Sequence, residues 1–166
     1  MKKQIVALLL LALVGGAQLA LAQTMTDVGN VARAGFRTEK SAIMAKAMGL
    51  TESQSKVFWP LYRAYETESD KLLDQRISLL RSFADHYEAM TDKKASELAR
   101  EAFKLDRGRA ALLEKAYKKM GKELSPLIAV RFAQVERQIG TLMDLEIMRS
   151  VPLIASPAEL GISSPK

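Results

Sequence analysis

Apolar residues recur every three or four positions along most of this 166-residue chain, which is the pattern of helices that bury one face. Alternating strand patterns and Asn-Gly or Asp-Gly hairpin turns do not occur in the sequence. The spacing predicts a helix over 27–48 and three longer helices that begin after Thr51, Thr91 and Ser125. Long helices joined by short turns must fold back on one another. We therefore expect an all-α protein, a long antiparallel helical hairpin or bundle of three to four helices.

Capping residues and prolines mark the ends of these helices. Thr51 and Gln54 form a capping box, in which each side chain can accept a hydrogen bond from a free backbone N–H of the other residue. Pro60 lies inside the second helix, where its missing donor and its ring predict a bend. Ser125, which is followed by a proline, starts the fourth helix, and Pro152 ends it.

The same spacing predicts which residues are buried. On the second helix, Phe58, Tyr62 and Tyr65 share a face and are expected in the core. Trp59 points about 100° away from Phe58, and we expect it in the core or at a dimer contact, with contact to a client as the alternative. Gly108 in the third helix predicts close packing or a bend. The predicted core positions of the fourth helix are Ile128, Phe132, Val135, Ile139, Leu142, Met143 and Ile147, and Met148 is also expected to pack.

The first 22 residues have the features of a secretory signal peptide. Lys2 and Lys3 precede an apolar run over 5–14, and the small residues Ala20 and Ala22 fit a cleavage site. The run is shorter than the roughly 20 apolar residues that a membrane-spanning helix needs. We therefore expect cleavage after Ala22, a helical domain over 23–151 and a flexible C-terminal tail over 152–166. The expected location is the periplasm, without stable membrane insertion after cleavage.

Charge is distributed unevenly along the expected mature chain. Without the two N-terminal lysines, 23 basic residues face 19 acidic ones, and the excess is concentrated in 91–124, with 10 basic and 6 acidic residues. At about 100° per residue, six cations of the third helix fall on one line nearly opposite its apolar face. We call this line the basic stripe, which consists of Arg100, Lys104, Arg107, Lys115, Lys118 and Lys122.

The basic stripe has two interpretations. It can attract acidic partners or clients through its field, or it can be an ordinary solvated face, interrupted by Glu97 and Glu114. Nucleic acid is not expected as a partner because the chain carries an export segment. The expected partners are other envelope proteins or unfolded clients, and a second copy of the chain, since a long thin hairpin buries little core for its length.

No residue pattern indicates an enzyme, a metal site or a cofactor. The chain has no cysteine and one histidine, His86, and a metal site usually needs three or four convergent ligands. Neither a nucleophile elbow nor a phosphate-binding glycine loop occurs in the sequence. The carboxylates Glu66, Asp70 and Asp74 follow each other at helical spacing and are expected on an exposed face, where they favour solubility.

One short motif carries a family resemblance. Leu50-Thr51-Glu52-Ser53-Gln54 matches the Leu-Thr-x-x-Gln signature, and the chain resembles the LTxxQ family of periplasmic proteins, the Spy/CpxP-like stress proteins. That family carries a second copy of the motif. The corresponding segment keeps Leu124 and Ser125 but has Ile128 in place of the glutamine, so the chain resembles a divergent branch with one intact motif.

The resemblance implies an antiparallel helical dimer that acts without ATP. It implies either chaperone-like capture of non-native envelope proteins or, as an alternative, a regulatory or sensor partner of an inner-membrane signalling protein. A structural envelope protein is a third possibility, which would show neither behaviour. The motif residues Leu50, Thr51 and Gln54, the basic stripe and Trp59 are the positions that these hypotheses single out.

Overall fold

The computed structural model describes residues 38–154, except for the side chain of Ser150. The described chain consists of four helices: α1 (38–48), α2 (Glu52–His86), α3 (Asp92–Glu123) and α4 (Pro126–Ser150). A short 3₁₀ turn, Tyr87–Ala89, follows α2, and no strand occurs in 38–154. The predicted all-α helical bundle is confirmed.

The chain divides into two compact units, Met1–Lys46 and Ala47–Lys166. Of the first unit, residues 38–46 are described and are helical. The predicted end of the first helix is confirmed, because α1 ends at 48 and Gly49 follows with a φ of 55°, a conformation that glycine adopts without strain. The predicted start at 27, the signal peptide over 1–22 and most of the predicted tail lie outside the described residues.

In the second unit, α2 begins at the predicted capping box. The Thr51 backbone N–H donates to Gln54 Oε1 (3.0 Å), and the Gln54 N–H donates to Thr51 Oγ1 (3.3 Å). The helix then runs without interruption through Pro60 to His86. The missing proline donor therefore does not end the helix.

Two short connections reverse the chain direction and make neighbouring helices antiparallel. Thr91 caps α3 by accepting from Lys94 N (3.2 Å), and Ser125 caps α4 by accepting from Ile128 N (3.2 Å). Between α3 and α4 lie only Leu124 and Ser125. Helix α3 packs against both α2 and α4, so α2 and α4 run in the same direction.

The close approach predicted at Gly108 is present. A Cβ atom at this position would lie 3.3 Å from Leu72 Cδ2 on α2, which is tighter than an ordinary van der Waals contact. Helix α3 continues through the glycine. The missing side chain therefore lets α2 approach α3 closely at this point.

An aromatic cluster forms the core at the start of α2. Phe58 and Tyr62 are fully buried and stack with centroids 5.6 Å apart, and Phe132 of α4 meets both of them edge-on at 6.1 and 6.2 Å. Tyr65 is half-buried and also packs edge-on against Phe132, at 5.3 Å. The predicted inward positions of the three α2 aromatics are confirmed.

Two predicted core positions of α4 are wrong. Leu142 is 68% exposed and Met148 is 72% exposed, whereas Phe132, Val135 and Ile139 are buried as predicted. The reason is that α4 has apolar residues on two sides, and the described neighbours cover only one of them. We name the uncovered side the outer face of α4, which consists of Leu127, Val130, Arg131, Gln134, Gln138, Thr141, Leu142, Leu145 and Met148.

Within 38–154, the hydropathy of each helix is too low, or its charge too high, for it to cross a lipid bilayer.

Candidate interaction surface

All six residues of the basic stripe are exposed on α3. Lys104 and Lys118 pair along the helix with Glu101 (3.5 Å) and Glu114, respectively. The hydrogen bond from Lys118 lowers the pKa of the exposed Glu114. The stripe is therefore part solvated ion pairs and part free cations. The members that make no ion pair with any other residue of the described chain are Arg100, Arg107, Lys115 and Lys122.

An exposed aromatic ring lies beside the unpaired arginines. Phe103 is 62% exposed, and Arg100 and Arg107 lie three residues before it and four after it, on the neighbouring turns of the helix. The nearby Ala99 and Ala110 are also exposed. This part of α3 therefore presents a projecting ring with two exposed arginines beside it and one exposed acid, Asp106, three residues after it. Aromatic residues and arginine are the types that contribute most at protein interfaces.

A groove of about 780 Å³ runs between α2 and α3, and Phe103 is not one of its lining residues. Arg100 and Lys104 of the basic stripe form part of its wall. The other lining residues are Asp74, Gln75, Ser78, Leu79, Ser82, Lys94, Glu97, Leu98, Glu101 and Leu105. Three leucines together with charges of both signs make a surface that can hold an apolar side chain of a partner and also contact its polar backbone.

Trp59 lies apart from the basic stripe. It is half-buried and meets Phe58 and Tyr62 edge-on, with centroids 5.2 and 5.6 Å away. The indole is thus part of the aromatic cluster of α2. A partner would meet only one side of the ring.

Sequence reasoning missed a buried polar contact between α2 and α4. The Tyr65 hydroxyl donates to Glu136 Oε2 (3.0 Å), and Glu136 is buried. Burial raises the pKa values of Tyr62 and Tyr65, and the negative charge of Glu136 raises them further. Both phenols therefore stay protonated, and the Tyr65 hydroxyl acts as a donor. The helical pattern carried no sign of this contact, because Glu136 is a single acid on an otherwise apolar face.

The expected exposure of the carboxylates on α2 is only partly correct. Asp74 is exposed, but Glu66 and Asp70 are half-buried. Glu66 lies close enough to Tyr62 to raise the pKa of that phenol through its charge and a hydrogen bond, although burial is the larger cause. These two acids therefore belong to the polar contacts inside the bundle as well as to its surface.

A second polar contact joins all three helices of this unit. Arg76 of α2 pairs with Asp144 of α4, and Arg109 of α3 donates to the same carboxylate at 3.1 and 3.4 Å. Burial alone would raise the pKa of Asp144, but the hydrogen bonds and charges of the two arginines outweigh it and lower the pKa. Gly140 makes room for this contact, since a Cβ there would lie 3.3 Å from a terminal nitrogen of Arg109.

The two motif segments differ in the hydrogen bonds of their caps. At Leu50-Thr51-x-x-Gln54 both bonds of the capping box form. At Leu124-Ser125-x-x-Ile128 only the Ser125 side chain acts as a cap, because Ile128 has no polar group to return the bond. The direct role of both segments in the described chain is to start a helix.

The described residues contain no group of three or more His, Cys, Asp or Glu side chains that could hold a metal ion. His86 is exposed, and its Nδ1 lies 2.8 Å from the Ser82 carbonyl oxygen one turn earlier in α2. The described part of the second unit presents three exposed surfaces of different chemistry: the basic stripe with Phe103, the groove between α2 and α3, and the outer face of α4.

We compared the chain with protein families, curated proteins and solved structures. No family model, no curated protein and no solved structure matches the chain. A functional hypothesis therefore depends on the sequence features and on the surfaces described above.

Proposed function

We propose that this chain is a periplasmic, stress-type helical binding protein that captures non-native or envelope proteins without ATP. The proposal rests on the export features of residues 1–22, the LTxxQ resemblance at 50–54 and the outer side of α3. Phe103 carries the argument, because it is a large apolar side chain held 62% exposed between two unpaired arginines.

Passive capture needs a long-range attraction and a short-range contact. Four cations along α3, none of which pairs with an acid in 38–154, supply a field that draws acidic segments of a client toward the helix, and this field weakens as salt is added. The ring of Phe103 then contacts apolar side chains that a folded protein would bury. Neither step needs a nucleotide or a covalent intermediate.

The groove between α2 and α3 extends the contact surface. Its leucines, Leu79, Leu98 and Leu105, can receive an apolar client side chain, and its charges of both signs can meet the polar groups of an unpaired backbone. Such a lining can meet an apolar side chain and charges of either sign, so it does not require one particular client sequence. Poor discrimination is what a chaperone requires and what a dedicated regulator avoids.

The first test is suppression of aggregation. The protein is mixed in molar excess with two unrelated aggregation-prone proteins, without ATP, and light scattering is followed at low and high salt. We expect both clients to be suppressed at low salt and less so at high salt. Phe103→Ser should weaken suppression at both salt concentrations, because the contact of the ring does not depend on screening.

Charge reversal on α3 tests whether suppression of aggregation depends on a defined surface or only on the net charge of the protein. Arg100→Glu together with Arg107→Glu should abolish most of the suppression. The control, Lys56→Glu together with Lys71→Glu, changes the net charge equally on exposed positions of α2 and should leave suppression nearly intact. Equal loss in both double variants would mean that net charge acts without a defined surface.

The regulatory alternative predicts a different outcome. If scattering rises as fast as in the control without the protein, chaperone-like capture is excluded. Tight binding to one inner-membrane signalling protein, measured by affinity isolation from detergent-solubilised envelopes, would then favour the regulatory or sensor partner. If neither behaviour occurs, a structural role in the envelope remains.

A further inference from the structure

Exposed residues recur at regular intervals along the outer face of α4, and packing of the inner face against the bundle does not require this regularity. The exposed positions 127, 131, 134, 138, 141, 145 and 148 are separated alternately by four and three residues. This is the spacing of a helix that pairs with another helix along one seam. Val130 and Leu142 lie beside the seam and are also exposed.

The chemistry of this seam is nearly symmetric about its middle. Apolar residues occupy the two ends, with Leu127 81% exposed at one end and Leu145 and Met148 at the other. Gln134, Gln138 and Thr141 occupy the centre. Arg131 is the only charged residue of the seam, and acids are absent from it.

We propose that the outer face of α4 binds the same face of a second copy of this chain, with the two helices antiparallel and the two-fold axis at Gln138. In this arrangement Leu127 faces Met148 of the second copy, and Gln134 faces Thr141. The two Gln138 side chains meet at the axis. The apolar ends thereby cover one another, and the polar residues at the centre of the seam face one another; Arg131 is the exception, because it faces Leu145.

Charge favours the antiparallel direction over the parallel one. In a parallel pair Arg131 would face its own copy, and two like charges in contact cost free energy. In the antiparallel pair Arg131 faces Leu145 and lies beside the exposed Glu146 of the second copy. The two-fold axis makes this ion pair occur twice.

Arg131 keeps donors available for that contact. Its Nε donates to the Ala47 carbonyl oxygen (2.6 Å), and its two terminal nitrogens make no bond to any other described residue. Glu146 lies on the exposed surface, 3.6 Å from Arg149. The hydrogen bond at Nε holds the guanidinium side chain in place, which lowers the entropy that a partner contact must offset.

The size of the face sets the expected strength of the dimer. Covering about nine such side chains on each copy removes roughly 1,000 Å² of surface, at the lower end of the range for specific protein interfaces. We therefore expect a dimer that dissociates in the micromolar range. The polar centre specifies the register, as a polar residue within a helical seam commonly does, because a shift by one repeat would place Leu127 on Thr141.

Substitutions at Gln138 test the position of the axis. Sedimentation equilibrium is measured on protein expressed from the full sequence, over a range of concentrations. Gln138→Lys and Gln138→Glu should each weaken dimerisation by more than about tenfold, because like charges then meet at the axis. An equimolar mixture of the two variants should restore the dimer. Gln75→Lys, the same change on an exposed position of α2, should leave dimerisation unchanged.

Cysteine pairs test the direction of the helices. The chain contains no cysteine, so each introduced thiol is unique. A short bis-maleimide should cross-link a mixture of Leu127→Cys and Met148→Cys but neither variant alone. Cross-linking of each variant to itself would overturn the antiparallel arrangement. A monomer at every concentration, or a dimer that survives both Gln138 substitutions, would overturn the interface.

These outcomes do not depend on client capture. The dimer is measured without a client, and the α3 variants that test capture leave α4 unchanged. Loss of dimerisation with retained suppression, or the reverse, therefore identifies which of the two proposals has failed.

Discussion

The inner and outer faces of α4 contain similar amino acids but have different surroundings. Phe132, Val135 and Ile139 on the inner face are buried against the bundle, whereas Leu142 and Met148 on the outer face remain largely exposed. Apolar character is therefore necessary for burial but does not decide it. A helix can have two apolar faces, and only one of them needs to be buried within its own chain.

Helix α3 differs from α4 because its outer side is mostly charged and not apolar. Its side away from the apolar face carries the charged basic stripe, with Phe103 as the one large apolar residue exposed on the helix. Helical periodicity located this boundary correctly, since charges occupy one side and leucines the other. The comparison shows that a polar outer face can be predicted from spacing, whereas an uncovered apolar face cannot.

The largest expected effect is on the inner face. Phe132→Ala should lower the free energy of unfolding by about 3–5 kcal/mol, because the ring fills the space among Phe58, Tyr62 and Tyr65. Leu142→Ala, on the outer face, is the matched control and should cost far less. Urea denaturation followed by circular dichroism, at one low protein concentration, measures both. Equal costs would contradict the assignment of inner and outer faces.

The second effect in size is expected at alkaline pH, where the free energy of unfolding should fall because of Tyr62 and Tyr65. The folded chain raises the pKa values of Tyr62 and Tyr65 above the ordinary value of about 10. The folded state therefore retains protons that the unfolded state loses, and stability falls as the pH rises above about 10. Urea midpoints across this range should decline less in the Tyr65→Phe variant. A flat profile in the parent protein would contradict the burial of both phenols.

Tyr65→Phe isolates the hydrogen bond to Glu136 at neutral pH. The phenyl ring keeps its packing on Phe132, but one donor to a buried carboxyl group is lost, which should cost about 1–3 kcal/mol. Tyr117→Phe serves as the control, because the Tyr117 hydroxyl makes no hydrogen bond to the described residues. A cost below that of the control would mean that Glu136 has a sufficient alternative donor.

The contact at Asp144 should have a smaller effect. Asp144→Asn should cost about 1 kcal/mol, because the carboxylate is partly exposed and the solvent screens its two arginines. The folded chain lowers the pKa of Asp144, so this contribution is complete above the ordinary value of about 3.9 and is lost at lower pH. Glu114→Gln, which breaks an exposed pair with Lys118, should change the unfolding free energy little. A cost at Glu114 as large as at Asp144 would contradict the role given to burial.

The smallest effect is expected on the outer face itself. Leu145→Ser and Met148→Ser should each change the unfolding free energy of the monomer by no more than about 0.5 kcal/mol. The difference from the parent should grow at high protein concentration, since a dimer stabilises the folded state by mass action. Thermal unfolding at two concentrations measures this growth. A concentration-independent cost would place these residues in the core of the monomer.

Helix ends were predictable because their causes are local. The Thr51–Gln54 capping box and the caps at Thr91 and Ser125 involve groups within three residues of one another. The exposed basic stripe was equally predictable, since helical geometry alone places its members on one line. Phe103 was overlooked because one apolar residue among cations does not alter the helical pattern.

The contacts between helices were not predictable in the same way. Tyr65 and Glu136 are separated by 71 positions, and Arg76 and Asp144 by 68. Periodicity shows which side of a helix is apolar but carries no information on the rotation and register of its neighbour. Glu66 was expected on the surface for this reason, although it lies partly inside beside Tyr62.

By itself, the sequence determined the all-α class, the starts of α2, α3 and α4, the ends of α1 and α4, and the solvent-facing side of α3, because capping and amphipathic spacing act within a few residues. Only the tertiary structure decided which apolar side of α4 is buried, which acids lie inside, and that Arg76 and Arg109 share Asp144. Those outcomes depend on where α2 and α3 lie, and a neighbour that is distant along the chain buries whichever face it reaches.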